Sequence, residues 1–447
     1  MEFVIKISQF LLSLSLLIVL HELGHFVPAK AFKTRVEKFY LFFDVKFSLF
    51  KKKIGETVYG IGWLPLGGYV KISGMIDESM DTEQMAKEPQ PWEFRSKPAW
   101  QRLIIMLGGV TVNFVLAYII YVMISFVYGD TDFSSESLKD GYWIDNPLLN
   151  ELGFETGDKI IAIDDVTVHS HSDVVKKIIS GEKYMVEKNG VTETIEMPVD
   201  FLGQLSSKKI KGSLFKLRIP FMVNNVIDTL HNAGVDLEKG DILLTVNDDE
   251  VRYFDQLSST LEKYKNQTVS SVFLRGSDKI TRELKVDANG KFGIAPASHP
   301  ERFDELGYFE ITRKEYTFLE SFGGGLNKFI EQIASYWEQL GKIFSPETGA
   351  YKGVGGFKAI FDIFPDQWIW QDFWNLTAFL SIMLAILNLL PIPALDGGHV
   401  MFLLYEMVSG RKPGDKFMEY AQLVGFFILI ALVLFANGND IYKAIFN

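Results

Sequence analysis

Four long apolar stretches divide the chain, at residues 4–26, 103–127, 373–395 and 418–436. Each is long enough to cross a hydrocarbon slab, which takes about 20 helical residues. The first is diluted by Lys6, Ser8, Gln9, Ser13 and Ser15. Polar groups at that depth are tolerated where they face protein, which predicts a helix bundle rather than a lone anchor. Basic residues mark one side of the slab: Lys30, Lys33 and Arg35; Arg95, Lys97 and Arg102; Arg411, Lys412 and Lys416. The opposite ends carry Asp130, Asp132, Asp366, Asp372 and Asp440. The bias of cytoplasmic loops toward Lys and Arg therefore predicts both termini and the 130–370 segment outside the cytoplasm.

Between the first two apolar stretches the pattern changes to strands. Residues 38–50 are aromatic-rich, residues 51–55 form a turn, and an extended pattern resumes at Thr57. The run Gly60-Ile61-Gly62-Trp63-Leu64-Pro65-Leu66-Gly67-Gly68-Tyr69-Val70-Lys71-Ile72 is apolar and glycine-rich. It reads as a membrane-associated, re-entrant β-hairpin, because irregular backbone at membrane depth must be covered by protein or a wet cavity. A plain cytosolic hairpin is the alternative. Residues 77–91 are acidic and loop-like.

The external segment contains an internal echo. Leu152-Gly153 through Gly157-Asp158-Lys159-Ile160-Ile161-Ala162-Ile163 is matched by Ala233-Gly234 through Gly240-Asp241-Ile242-Leu243-Leu244-Thr245-Val246. Each copy has a glycine turn, then Gly-Asp, then an apolar strand, and each is followed by a helical stretch, at 171–179 and 254–264. Paired in this way, the copies resemble the bacterial, circularly permuted PDZ module. Residues 318–344 suit an amphipathic helix, and 349–364 are glycine-rich. The expected fold is a polytopic α-helical membrane protein with four transmembrane helices, a β region and two extracytoplasmic PDZ-like α+β domains. Its expected divisions are 1–27, 28–100, 101–128, 130–218, 219–300, 301–372, 373–408 and 416–440.

Composition narrows the chemistry. A hydrophobic fraction of 48% and a positive mean hydropathy fit a few spanning helices plus a sizeable aqueous part. The net charge of −11 gives no electrostatic case for nucleic acid as a partner. With no Cys, thiol catalysis, disulfides and thiolate metal ligands are excluded. The N-terminal run does not read as a cleavable signal, since Glu2 precedes it and no small-x-small site follows.

The first apolar stretch ends in His21-Glu22-Leu23-Gly24-His25. Positions i and i+4 share a helix face, so His21 and His25 can offer two imidazole nitrogens to one Zn²⁺, with Glu22 beside it as a proton acceptor. A third ligand leaves the fourth position for water. Asp396, in Asn388-Leu389-Leu390-Pro391-Ile392-Pro393-Ala394-Leu395-Asp396-Gly397-Gly398-His399, lies 375 residues away but at matching depth. His21 is 17 residues beyond Val4 and Asp396 is 23 beyond Phe373, so both approach the cytosolic edge of the slab. His399 competes with Asp396 for that role. A membrane-tethered PDZ binding scaffold with a merely structural metal is the alternative function, although such sites are usually closed by four ligands.

The His-Glu-x-x-His, the Leu-Asp-Gly ending at Gly397, Gly67-Gly68-Tyr69-Val70-Lys71, the tandem PDZ-like insert, and Gly108-Gly109 with Asn113 together resemble the site-2 protease family. The chain is most similar to that family's bacterial branch, regulator of sigma-E protease. Phe357 departs from it, standing where relatives are expected to carry Pro. The resemblance implies an intramembrane zinc metalloprotease of the bacterial inner membrane. It implies single-span membrane protein substrates already shortened by another protease, including anti-sigma factors and signal-peptide remnants. It further implies substrate contacts at Asn388 and Pro391. Gly68, Tyr69 and Val70 are expected to pair with an extended substrate, and the PDZ-like pair either recruits substrate or filters it by size.

Overall fold

The computed structural model describes residues 2–65, 67–75, 88–207, 213–227 and 230–446. Most of the acidic loop expected at 77–91 lies outside these. The chain forms two compact units, Met1–Gly129 with Glu315–Phe344 and Tyr351–Asn447, and Asp130–Lys314 with Ser345–Ala350.

In the first unit four helices are long and apolar enough to cross a membrane: α1 (Glu2–Ala31), α2 (Ala99–Tyr128), α4 (Trp370–Leu389) and α6 (Asp415–Phe446). α3 (Phe318–Phe344) and α5 (Asp396–Ser409) complete the bundle. α2 is the hub, packing against α1, α3, α4 and α5. Its contact with α1 is backbone on backbone: a Cβ on Gly24 would stand 2.3 Å from the Gly108 carbonyl oxygen. Small residues allow such approaches where no hydrophobic force drives helices together. The polar residues that dilute α1 are partly explained by packing. Gln9 and Ser13 are fully buried, with Gln9 Nε2 donating to the Pro365 carbonyl and Ser13 Oγ 3.0 Å from Thr377 Oγ1 of α4.

α4 stops at Leu389 rather than running on to 395, because Pro391 and Pro393 cannot continue a helix. The chain then turns tightly, with Ala394 held at φ 85°. α5 starts at Asp396. Its first turn folds against the loop so closely that a Cβ on Gly397 would lie 2.3 Å from the Leu390 oxygen.

α3 uses Gly325, Tyr336 and Leu340 against α2, while Leu319, Phe322, Leu326, Ile330 and Trp337 remain exposed. α6 is held at its far end by side chains capping the segment before residue 360. Asp440 Oδ2 accepts from the Gly356 and Ala359 N–H groups, and Asn437 Oδ1 accepts from the Phe357 N–H at 3.3 Å. A proline at 357 has no N–H and could not make that bond. The departure at Phe357 thus has a structural counterpart on α6.

Strands β1 (Val36–Leu41), β2 (Phe43–Ile54), β3 (Thr57–Leu64) and β4 (Tyr69–Ile72) form one sheet in the order β2-β3-β1-β4. This corrects the hairpin expected at residues 60–72. β3 and β4 do not pair with each other. β1 lies between them, parallel to β3 and antiparallel to β4. The hairpin is one strand earlier, β2 with β3, turning at Gly55. Alternation along a strand reports which face is buried, not which strand lies alongside, so the insertion of β1 left no trace in the pattern. β4 is consequently an edge strand.

The second unit carries the echo as a repeated turn. Gly153 and Gly157 adopt φ 101° and 107°, Gly234 and Gly240 adopt 90° and 99°, conformations that suit glycine. Asp158 Oδ2 accepts from the Glu155 N–H at 2.9 Å, and Asp241 Oδ2 accepts from the Glu238 N–H at 2.9 Å. The strands Lys159–Ile163 and Ile242–Val246 then end at Asp164 and Asn247, with φ 49° and 50°. The boundary expected after residue 300 is not where the unit ends. Phe303 and Phe309 are buried among Tyr142, Phe154 and Phe215, and Ile311–Lys314 pairs with Asp130–Phe133.

Candidate metal centre

The i,i+4 spacing on α1 puts His21 and His25 side by side, 9% and 7% exposed, with ring centroids 4.9 Å apart. Their Nε2 atoms are 3.3 Å apart. Asp396 Oδ2 arrives from α5, 3.4 Å from His21 Nε2 and 3.3 Å from His25 Nε2. These three separations can be compared with the edge of a coordination tetrahedron. For metal–ligand bonds of about 2.0–2.1 Å, that edge is about 3.3–3.4 Å. The donor triangle therefore has the size that zinc requires.

Hydrogen-bond chemistry points the same way. His25 Nδ1 is 2.8 Å from the Ile105 carbonyl oxygen, which can only accept, so Nδ1 carries a hydrogen. In the neutral imidazole, Nε2 is then a bare lone pair. It faces the carboxylate oxygen of Asp396, which is buried and accepts no hydrogen bond among the described residues. Converging acceptors of this kind are satisfied by a shared cation. Three protein donors leave a fourth position for water or substrate, as catalytic zinc sites do.

Two residues of α2 support the triangle without belonging to it. Asn113, fully buried, reaches His21 Nδ1 through Nδ2 at 3.0 Å, while its Oδ1 has no partner among the described residues. With Nε2 turned to a cation, Nδ1 carries the hydrogen, and a half-turn of the amide brings the unpartnered oxygen to receive it. Gly109 lies directly against both rings. A Cβ there would stand 2.4 Å from His25 Nε2 and 2.7 Å from His21 Cε1. Neither position has a role derivable from the pattern of the second apolar stretch. The available signal was one amide and two adjacent glycines in a first half whose only other polar side chain is Thr111.

The triangle opens onto a cavity of about 760 Å³. Glu22 lines it, with the Val70 backbone N–H facing its carboxylate. Gly68, Tyr69 and Val70 line it as well, bringing the edge strand β4 to the same space. Gly68 is pressed from both sides: a Cβ would meet Ile18 Cγ2 at 2.4 Å and the Tyr40 oxygen at 2.8 Å. The Tyr69 ring is stacked between Tyr40 and Phe43, and its hydroxyl donates to Asp44 at 2.8 Å. Asn388, near the end of α4, also faces the cavity, whereas Pro391 is not among its lining residues. His399 lines the cavity but does not join the three converging donors.

Four helices long and apolar enough to cross a membrane, together with a two-histidine, one-carboxylate cluster, fit a polytopic membrane protein with a candidate metal centre. The chain matches the model of Peptidase family M50 over residues 9–432 and belongs to that family, the site-2 protease family. Its relatives include proteins named "Putative zinc metalloprotease" in three bacteria. The Neisseria meningitidis serogroup A protein is 24% identical, over 97% of this chain and 98% of its own length. The Campylobacter jejuni protein is 26% identical, over 97% and 92%. The Vibrio cholerae protein is 27% identical, over 96% and 97%. The chain is accordingly a membrane-embedded metalloprotease whose cofactor is Zn²⁺.

Proposed function

We propose that the chain is an intramembrane zinc endopeptidase that cuts transmembrane segments of single-span membrane proteins, with His21, His25 and Asp396 as ligands and Glu22 as the base. The observation that carries this reading is the meeting of a tetrahedron-sized donor triangle, a carboxylate and the edge strand of a sheet in one cavity. Zinc bound there would polarise the scissile carbonyl and acidify a water molecule. Glu22 takes the proton released as that water's oxygen bonds to the carbonyl carbon. It returns the proton to the departing amine as the C–N bond breaks. β4 offers backbone N–H and C=O groups to an extended substrate, because a helical amide is shielded by its own hydrogen bonds. Asn388 adds a donor and an acceptor beside the path.

The substrates would be trimmed anti-sigma-factor-like proteins or signal-peptide remnants in a bacterial inner membrane, with the repeated unit outside the cytoplasm. Purified protein should cleave a single-span test substrate, lose that activity on chelation, and recover it with added Zn²⁺. Cleavage that survives complete metal removal would overturn the reading.

The repeated unit is proposed to be a PDZ-like pair acting as a size filter, since neither copy carries a Gly-Leu-Gly-Phe-like carboxylate loop. Replacing residues 130–314 by a flexible bridge should leave cleavage of a pre-trimmed substrate intact and admit its full-length form. Lost cleavage of the trimmed form, in a variant that keeps its zinc, would instead make the pair a recruiting device.

A further inference from the structure

α6 is the least packed of the spanning helices, yet one of its polar side chains points inward. Gln422 is 6% exposed and lines the cavity beside the donor triangle, near the start of the apolar part of α6. Among the described residues its amide makes no hydrogen bond. An amide that borders the cavity without a protein partner among them is available to hydrogen-bond a ligand held there.

Its position is not accidental to α6. One turn further on, Gly425 runs against the loop that leads to Asp396, so tightly that a Cβ would overlap the Pro393 carbonyl oxygen at 1.5 Å. That contact fixes the height and rotation of α6 relative to the metal centre. Phe426, on the next turn, closes the same wall with an apolar ring.

An extended polypeptide has two hydrogen-bonding edges. If one is paired with β4, the other faces the remaining cavity wall, where no water is guaranteed to meet its N–H and C=O groups. A primary amide carries both a donor and an acceptor and can satisfy a peptide unit whatever its side chain. We propose that Gln422 is a substrate-positioning residue, bonding the backbone of the unwound substrate along the edge not paired with β4. This rests on the protease reading above and adds a sequence-independent contact supplied by α6.

The test uses the full-length, zinc-loaded protein and a single-span substrate, comparing wild type with Gln422→Met and Gln422→Asn. Met matches Gln in length but has neither donor nor acceptor on its end. Gln422→Met should raise KM about tenfold, or about 1.4 kcal/mol, with kcat within about twofold and zinc unchanged. Gln422→Asn should recover part of the loss. Substrate Kd measured in a Glu22→Gln background should weaken by a similar factor on adding Gln422→Met, a readout that does not depend on turnover. An unchanged KM and Kd in Gln422→Met, with zinc stoichiometric, would overturn the inference while leaving the protease reading intact. If Gln422→Met lost zinc or lowered kcat alone, Gln422 would be part of the scaffold around the metal, and the inference would fail. Absence of cleavage by the wild type would instead strike at the protease reading itself.

Discussion

Glu22→Gln is expected to abolish cleavage while zinc stays bound. The side chain lines the cavity next to the donor triangle but is not one of its corners, so the change removes a proton acceptor without removing a ligand. General-base catalysis is worth about a hundred- to ten-thousandfold, and the loss should fall in that range or below detection. Asp396→Asn should behave differently. It replaces an anionic oxygen, placed 3.3–3.4 Å from both imidazole nitrogens, with a neutral amide that binds zinc poorly. Zinc content and activity should then fall together. The contrast is read by metal analysis of the two purified variants beside their turnover. Substantial activity in Glu22→Gln would refute the base assignment. Stoichiometric zinc in Asp396→Asn, with zinc lost in His399→Ala, would move the third ligand to His399.

The parts of this site that the sequence made legible are those with a local signature. An i,i+4 pair on a helix must share a face, which is why His21 and His25 could be paired before any fold was known. Asp396 was reachable because it follows closely on the end of a spanning helix that runs in the same direction as α1, although α4 stops at Leu389 and the count of helical rise does not extend to Asp396 itself. The four apolar spans were legible because a run of about 20 apolar residues has few other uses. What sequence could not supply was lateral order. β1 sits between β3 and β4, and α3 lies along α2, about 200 residues on; neither neighbour is marked in the local pattern of its partner. Gly109 and Asn113 belong to the same class. Their importance comes from what faces them across a helix contact, namely His25 and His21, which leave no room for a Cβ at residue 109. Gln422 is a further case, a lone amide on the wall of a cavity shared with the loop before Asp396 and with β4, a strand hundreds of residues away.

The fold also explains why the proline-broken loop is where the third donor sits. α4 ends at Leu389, and after six intervening residues α5 begins with Asp396 in its first turn, where a carboxylate is favoured by the helix dipole. Ala394 is held at φ 85° within that loop, a conformation that costs a non-glycine residue about 1 kcal/mol or more. The surrounding contacts enforce it: Gly397 and Gly398 are packed onto the oxygens of Leu390 and Ile392, and Gly425 of α6 onto that of Pro393. The carboxylate is therefore placed by backbone packing from two helices rather than by its own side-chain bonds, which suits a group reserved for a cation.

Gly109→Ala is the largest effect expected from a change that touches no reactive group. On an isolated helix the substitution would be favourable by about 1 kcal/mol, because alanine restricts the unfolded backbone and suits the helix better. Here the added methyl would sit 2.4 Å from the His25 ligand nitrogen and 2.7 Å from His21 Cε1, well inside contact distance. Relief requires one or both rings to shift by about 1 Å, against a tolerance of about 0.2 Å for metal–ligand distances. Even outer residues that merely orient zinc ligands cost about 10- to 100-fold in affinity or activity when changed. Gly109→Ala should exceed that, with zinc occupancy and cleavage both falling by about a hundredfold or more while helix content stays unchanged by circular dichroism. Gly323→Ala on α3, where a Cβ would meet nothing within 4 Å, is the matched control and should keep both zinc and activity. Wild-type zinc and turnover in Gly109→Ala would mean that the two imidazoles do not stand against α2 as described, and the metal centre would have to be rebuilt around other donors.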